Sequence, residues 1–115
     1  MRIDVKWRRE GDIAIASLLG RIDNTSSDRF LAMAEDGLES GDRALLLDFG
    51  RVSYPSSAGL RVCLILARKF SAPGQAIAIC SLSALNREVV AVSGFDQMIP
   101  VHDTIESAIA SLRDS

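Results

Sequence analysis

Two short apolar runs set the strongest constraint on how this chain folds. "ALLLDF" (44–49) and "AIAIC" (76–80) are almost continuously apolar, which is typical of strands covered on both faces of a parallel sheet. Between them, residues 57–70 have the apolar spacing of a helix, and Pro73 and Gly74 close it. A strand, a helix and a second strand in this order predict a parallel unit with a right-handed crossover.

The N-terminal part of the chain predicts a hairpin. Residues 2–9 alternate loosely between polar and apolar, and residues 12–18 place Ile13 and Ile15 on one face. Gly11 lies between the two segments, as expected of a turn.

The next segment predicts a first helix. Leu31, Ala34 and Leu38 fall at i, i+3 and i+7 on one helical face. Gly41 is predicted to end this helix.

A third helix is predicted after the second buried strand. Ser83 is placed to cap it, and Gly94 is placed to end it. Its apolar face is predicted to carry Leu85, Val89 and Val92, at i, i+4 and i+7.

The C-terminal segment predicts a short strand and a last helix. "MIPV" (98–101) reads as an edge strand that tolerates its proline. Asp103 and Glu106 resemble a capping box at the start of the helix. The apolar face of this helix consists of Ile105, Ala108, Ile109 and Leu112.

The predicted order is therefore ββαβαβαβα, which describes an α/β fold. We expect one domain over residues 1–115, since 115 residues with 48% hydrophobic positions suffice for a single core. The sheet is expected to be mostly parallel and five-stranded, with an N-terminal hairpin and four helices. If the strands run in sequential order, most helices pack on one face, and the other face needs a helix or a partner to cover it.

Composition and charge exclude several classes of protein. The formal net charge is -2 with no basic run, so direct binding of nucleic acid is not expected. The apolar stretches are far shorter than the roughly 20 residues that span a bilayer, and the N-terminus does not lead into a signal peptide. We therefore expect no membrane insertion and a cytoplasmic location.

The reactive side chains do not assemble into a catalytic or metal site in the sequence. Cys63 and Cys80 read as small core residues, so neither a disulfide nor a metal site is expected. His102 is the only histidine, and its neighbour Asp103 makes it a cap neighbour more readily than a catalytic dyad. Trp7 and Phe95 are assigned to the core or an interface. We expect no enzyme activity and no cofactor.

The stretch "VSYPSSAGLRVCL" (52–64) is the most informative loop. Tyr54 precedes a proline and is biased toward an extended backbone, while Pro55 lacks a donor, so a helix is expected to begin just after it. Ser56 or Ser57 is then the helix cap. Such a pair is most often only a cap, which contributes about 1 kcal/mol.

The position of this loop nevertheless favours a ligand or partner site. A helix N-terminus offers unpaired N–H groups to an anion, and Ala58 and Gly59 leave little side-chain bulk around it. In open α/β sheets, moreover, ligand sites lie outside the carboxyl ends of the strands.

Three segments resemble one known family. "LLLDFGRVSYPSSAGLRVCLILAR" (45–68) resembles the central motif of STAS domains of the anti-sigma factor antagonist type, in which a strand ends in Asp and a Ser-Ser or Asp-Ser pair precedes a small residue and Gly-Leu. "LLGRIDNTSSDRF" (18–30) resembles the family's segment before the first helix, and "SGFDQMIPVHDTIESAIASL" (93–112) resembles its C-terminal signature.

The resemblance implies a non-catalytic switch. Such a protein binds an anti-sigma factor, often an ATP-dependent serine kinase, so that a sigma factor is released, and the kinase then phosphorylates a loop serine to end the interaction. Ser57 matches the phosphoacceptor. Ser56 is the second choice, because it stands where many relatives have Asp. The partner-binding residues implied are Asp23, Ser56, Ser57, Ala58, Gly59 and Arg61.

The three residues outside the serine pair, Asp23, Asp48 and Arg61, also have purely structural interpretations. Asp23 fits local capping before a helix. Asp48 fits a residue that holds the loop by accepting backbone N–H bonds. Arg61 fits a solvated surface residue.

Two other functions remain open from the sequence. One is a STAS subunit that is not phosphorylated and scaffolds a transporter or a signalling complex. The other is a small-ligand or nucleotide sensor that binds a phosphate at the same helix N-terminus.

Overall fold

The computed structural model describes residues 3–114, excluding the side chain of Tyr54. Within this range five strands and four α-helices alternate, with one short 3-10 turn at Phe95–Gln97. The strands are β1 (Asp4–Glu10), β2 (Ile13–Ile22), β3 (Ala44–Pro55), β4 (Ala76–Cys80) and β5 (Val101–His102). The helices are α1 (Ser27–Gly37), α2 (Ser57–Lys69), α3 (Ala84–Ser93) and α4 (Ile105–Arg113).

The strands form one sheet in sequential order, β1-β2-β3-β4-β5. β1 and β2 pair antiparallel, and the other neighbours pair parallel, which confirms the predicted hairpin and parallel sheet. Gly11 lies in the hairpin turn with φ +62°, a conformation that glycine adopts without strain. The predicted start of the first strand at Arg2 lies outside the described residues.

The two faces of the sheet are covered by different helices. Leu45, Leu47 and Ile79 belong to the core that packs against α1, α2 and α3. Leu46 and Cys80 point to the other face, where α4 covers them with Ala108, Ile109 and Leu112. Burial on both faces explains why the strand sequences are almost continuously apolar.

Helix α1 ends at Gly37, so the predicted end at Gly41 is wrong. Gly37 lies against the indole of Trp7, which leaves no space for a side chain there. Its carbonyl accepts a hydrogen bond from Arg9 Nη2 at 2.7 Å. Leu38 then takes an extended backbone, with φ -79° and ψ 143°. A contact with β1, distant in sequence, thus ends the helix before the next glycine.

Strand β3 runs to Pro55, whereas the apolar run predicted an end at Phe49. The additional residues pair with β2 across two shifts of register, so that Leu19 lies opposite Arg51 and Ile22 lies opposite Pro55. Each shift is a bulge that leaves one extra residue of β3 unpaired, and the pairing with β2 resumes beyond it. The loop expected after Phe49 is therefore part of the sheet, and only Ser56 separates β3 from α2.

The predicted strand at 98–101 is also wrong in its bounds. Met98 closes the 3-10 turn, and β5 comprises Val101 and His102 alone. Pro100 has no N–H to donate to a ladder, although its carbonyl accepts a hydrogen bond from Ile79 N at 2.9 Å.

Helix α4 begins at a different cap from the one predicted. Thr104 Oγ1 accepts a hydrogen bond from Ser107 N at 3.0 Å, and Ser107 Oγ accepts one from Thr104 N at 3.4 Å. These two bonds form the capping box, in place of Asp103 and Glu106. Asp103 is instead paired with Arg87.

Helix α3 has the predicted caps, but the face that it buries is not the predicted one. Ser83 Oγ accepts a hydrogen bond from Asn86 N at 3.1 Å, and Gly94, with φ +76°, ends the helix. The buried residues are Asn86 and Val90. Leu85 and Val92, by contrast, are 63% and 84% exposed. The apolar face predicted from the sequence therefore points largely to solvent.

A buried hydrogen bond accounts for this orientation. Asn86 Nδ2 donates to the carbonyl oxygen of Val52, in the bulged part of β3, at 3.1 Å. This bond favours the asparagine on the inner side of α3, although Asn86 Oδ1 is buried there without a hydrogen-bond partner in the described range.

Candidate functional site at the end of strand β3

Ser56 links the sheet to helix α2. Its N–H donates to the carbonyl oxygen of Ile22 at 2.9 Å, which continues the pairing of β2 with β3. Its Oγ accepts a hydrogen bond from Gly59 N at 3.3 Å, and its carbonyl accepts the first helical bond, from Leu60 N. Ser56 is therefore the N-cap residue of α2, and its hydroxyl is already used.

Ser57 has a different environment. It is the first residue of α2 and is exposed. Its hydroxyl makes no hydrogen bond with any residue in the described range. Of the two candidate serines, Ser57 is the one whose oxygen is available for other chemistry.

Ala58 and Gly59 bring α2 close to the sheet. Both are buried, and Ala58 is 8% exposed. A Cβ added to Gly59 would lie 2.5 Å from Ile22 Cγ2. The small residues after the serine pair thus have a packing role, and partner contact through them stays a prediction.

Arg61 lies one turn into α2 and is exposed. Together with Asn24, Ser57 and Ala58 it lines a shallow depression of about 280 Å³. Within residues 3–114, no carboxylate forms an ion pair with Arg61. Its guanidinium group is therefore a free positive charge close to Ser57.

Asp23 shapes the turn that precedes α1. Its Oδ1 accepts hydrogen bonds from Thr25 N at 2.9 Å and from Thr25 Oγ1 at 2.7 Å. These bonds, with a weaker one from Ser26, hold the pKa of the Asp23 carboxyl below its usual value. Its contacts fit the local capping interpretation, and its part in partner binding stays a prediction.

Asp48 stabilises the first bulge of β3. Its Oδ1 accepts a hydrogen bond from Gly50 N at 2.9 Å, and its Oδ2 accepts one from Ser17 Oγ at 3.3 Å. The sequence predicted that Asp48 holds the loop through a backbone N–H. The structure places that bond within the extended strand, before the serine pair.

The remaining reactive side chains lie away from this loop. Cys63 and Cys80 are free and buried, and burial raises the pKa of Cys63 to about 12 and that of Cys80 to about 11. Both thiols are therefore protonated near neutral pH. His102 lies on β5, where it is opposite Cys80 of β4 in the backbone pairing of the two strands. Within residues 3–114, no three His, Cys, Asp or Glu side chains are grouped so as to hold a metal ion.

Two apolar grooves meet at Ser57, and the sequence interpretation missed them. Both include Ser57 and Leu60; the first is bounded by α3, and the second by Phe95 and Met98. The sequence contained one indication of these grooves, the apolar residues Leu85, Val89 and Val92 of α3. Their helical spacing alone assigned them to the core.

The fold is an α/β domain built on one five-stranded sheet, and an exposed serine stands at the start of helix α2. The chain belongs to the STAS domain family, whose model matches residues 4–108. In the described range, no helix has both the length and the apolar character needed to cross a membrane.

The chain is also similar to individual proteins. BtrV of Bordetella bronchiseptica, named as a candidate anti-sigma factor antagonist, is 34% identical over 99 residues, covering 86% of this chain and 85% of BtrV. The anti-sigma factor antagonist SpoIIAA, solved in its unphosphorylated form, matches with TM-score 0.76 and 20% identity over 97% of this chain and 98% of SpoIIAA.

A transporter-related protein has a similar fold. A sulfate transporter family protein from Wolinella succinogenes matches with TM-score 0.74 and 19% identity, covering 89% of this chain and 85% of that one. The likeness to these two solved structures shows the fold alone.

Proposed function

We propose that this protein is an anti-sigma factor antagonist switched by phosphorylation of Ser57. In the free state it binds an anti-sigma factor, an ATP-dependent serine kinase, so that a sigma factor is released. The observation that carries the proposal is the free, exposed hydroxyl of Ser57 at the start of α2. The 34% identity to BtrV supports the antagonist role.

Ser57 is favoured over Ser56 as the acceptor because the two hydroxyls are used differently. Ser56 Oγ accepts the Gly59 N–H, so a phosphate there would disturb the cap of α2. Ser57 Oγ can be modified without loss of a hydrogen bond in the described structure.

The end of α2 can accommodate the added phosphate. Phosphorylation adds about -1.5 to -2 charges and three acceptor oxygens. Leu60 N makes the first i to i-4 bond, so the N–H groups of Ser57 and Ala58 have no acceptor within the helix. These groups, the helix dipole and the nearby Arg61 all favour an anion.

A partner that covers Ser57 has no such compensation. It has to desolvate the phosphate or hold it near its own carboxylates, and both are costly. Phosphorylation therefore weakens binding much more than it changes the fold. The protein then works in the cytoplasm as one domain, without a cofactor, enzyme activity or contact with nucleic acid.

The proposal is tested by a pull-down from native cell lysate with the wild type and the Ser57→Asp variant. We expect the wild type to recover an ATPase-fold serine kinase that the Ser57→Asp variant does not recover. Mass spectrometry is expected to find phosphate on Ser57.

The Ser56→Asp variant is the matched control for the position of the charge, and its folding is checked by circular dichroism. Equal recovery of the kinase by the wild type and Ser57→Asp contradicts the switch. Recovery of transporter components by both proteins, with neither serine phosphorylated, supports the scaffold alternative instead. A thermal shift with nucleotides and no kinase recovered supports the sensor alternative.

A further inference from the structure

We propose that the grooves between α2 and α3 receive apolar side chains of the same anti-sigma factor whose binding Ser57 controls. This inference rests on the proposed function. It extends the docking surface from Ser57 at the start of α2 to the outer face of α3. Apolar contacts in the grooves then provide the affinity for the anti-sigma factor, and the phosphorylation state of Ser57 controls whether it binds.

The exposed apolar residues are concentrated on this side of the molecule. Four large hydrophobic side chains stand out as exposed in the described range: Ile65, Leu85, Val92 and Met98. Three of them, Leu85, Val92 and Met98, line the two grooves. A contiguous apolar patch of this kind marks an interaction site more often than a single exposed residue does.

The two grooves share Ser57. The first has a volume of about 560 Å³, and its apolar lining comprises Pro55, Leu60, Leu85, Val89 and Val92. The second has a volume of about 340 Å³, and its apolar lining comprises Leu60, Leu64, Phe95 and Met98. Any segment that fills either groove lies next to the Ser57 hydroxyl, so the apolar surface and the modification site are continuous.

The outward orientation of the apolar face is built into the fold. Asn86 and Val90 take the inner positions of α3, with Asn86 Nδ2 bonded to the Val52 carbonyl at 3.1 Å. Leu85 and Val92 are thereby held at the surface. The apolar face is therefore preformed and does not require α3 to rearrange before binding.

The charges around the grooves favour a protein segment as the occupant. Glu88 is the charged residue of the first groove, and Arg61 is that of the second. One acid and one base give the groove linings no net side-chain charge, and the single Arg61 that favours a phosphate on Ser57 is too little to hold a nucleotide triphosphate or an anionic lipid surface. An apolar segment with polar flanks fits this balance, as in the centre and rim of protein interfaces.

The arrangement also explains how one phosphate releases a partner with a broad footprint. A phosphate on Ser57 places a hydrated dianion at the junction of both grooves. An apolar segment in either groove has to strip water from that group, so the two halves of the interface weaken together.

The test is site-specific photo-crosslinking in the native cell with the full chain. The crosslinking residue is introduced as Leu85→p-benzoylphenylalanine and Val92→p-benzoylphenylalanine. The matched control is Ile65→p-benzoylphenylalanine, because Ile65 is an exposed apolar residue of α2 that lines neither groove.

We expect adducts from positions 85 and 92 to an ATPase-fold serine kinase, little adduct from position 65, and loss of the adducts when Ser57→Asp is added. The absence of adducts, an adduct to a second copy of this chain, or an adduct to a transporter component or a lipid overturns the inference. If the pull-down recovers the kinase but α3 does not crosslink to it, the inference fails and the proposed function stands.

An affinity measurement with the purified kinase gives the second readout. Leu85→Ser and Val92→Ser are each expected to raise its Kd about tenfold or more, because each loses a buried apolar contact, whereas Ile65→Ser changes it less than about twofold. Leu85 and Val92 are 63% and 84% exposed, so their serine variants are expected to keep the Tm of the wild type. Ile65 is 36% exposed, so the folding of Ile65→Ser is checked by circular dichroism before its Kd is compared. Unchanged Kd values for Leu85→Ser and Val92→Ser overturn the inference.

Discussion

At the scale of single residues, the oxygens of two neighbouring serines face different surroundings. Ser56 Oγ accepts the Gly59 N–H, and the Ser56 N–H reaches the carbonyl oxygen of Ile22 in β2. Ser57 begins the first turn of the helix and faces solvent. The capping role of Ser56 and the proposed modification of Ser57 can therefore be separated by mutation.

Ser56→Ala is expected to lower the free energy of unfolding by about 1 kcal/mol, since it removes the N-cap acceptor of α2. Ser57→Ala removes no hydrogen bond of the described structure, so its effect is expected to stay within about 0.5 kcal/mol. Urea denaturation of both variants measures the difference. Equal destabilisation by the two substitutions contradicts this division of roles.

Gly59→Ala is expected to destabilise the protein by about 1–3 kcal/mol, because the new methyl group overlaps Ile22. Gly41→Ala is the matched control, since a Cβ at Gly41 meets nothing within 4 Å. Thermal denaturation compares the two. A Gly59→Ala variant as stable as the control would show that Ile22 and α2 can separate at little cost.

At the scale of elements, one ionic contact joins β1 to the connection between α1 and β3. Arg9 Nε and Nη2 donate to the two carboxylate oxygens of Asp42 at 2.9 and 2.8 Å. Asp42 Oδ2 also accepts the Glu39 N–H at 2.7 Å, and the Asp42 side chain is 4% exposed. The hydrogen bond from Arg9 is the main cause that lowers the pKa of Asp42.

Asp42→Asn is expected to lower the free energy of unfolding by about 2–3 kcal/mol at pH 7, because Arg9 loses a partly buried partner. The Asp42 pKa is lower in the folded state, so this stabilisation is present above the unfolded-state pKa. It is lost as the pH falls through the folded-state value. The difference between wild type and variant should therefore begin to shrink below about pH 4 and vanish only below the lowered folded-state pKa.

The control for this pair is Asp12→Asn. Asp12 pairs with Arg43 at 3.0 Å, but its side chain is 53% exposed, so the expected loss is under about 1 kcal/mol. Urea denaturation from pH 7 to pH 3 measures both variants. A difference between wild type and Asp42→Asn that does not depend on pH contradicts the proposed role of the carboxylate charge.

At the scale of the whole molecule, the two sides of the sheet differ in the helices that cover them. Helix α4 closes one face with Ala108, Ile109 and Leu112. The other face carries α2 and α3, and both apolar grooves on this side include Ser57, the first residue of α2. In the proposed function, phosphorylation at Ser57 acts on this surface and leaves both cores intact.

Phosphorylated protein is expected to keep the fold of the free protein. The Tm should shift by less than about 4 °C, which corresponds to roughly 1 kcal/mol in a domain of this size. Amide chemical shifts should change mainly at the start of α2, around Asn24 and along α3. Changes spread over the strands, or loss of dispersed signals, would show that the switch works by unfolding instead.

Local rules predicted the elements whose signals lie within a few residues. The strands at 44–49 and 76–80, the caps Ser83 and Gly94, and the buried face of α4 all follow from short-range patterns. The ends of α1 and β3 do not, since Trp7 and β2 determine them from distant parts of the chain. The grooves could not be predicted either, because their linings combine residues from distant parts of the chain.

The sequence by itself determined the order of strands and helices, the parallel sheet, the family, and the serine pair at the start of a helix. Only the tertiary structure decided which serine is the cap, how far β3 extends, and that the apolar face of α3 points outward. Periodicity records where apolar residues recur along one element. The acceptors that settle these choices, the carbonyl oxygens of Ile22 and Val52, belong to other elements.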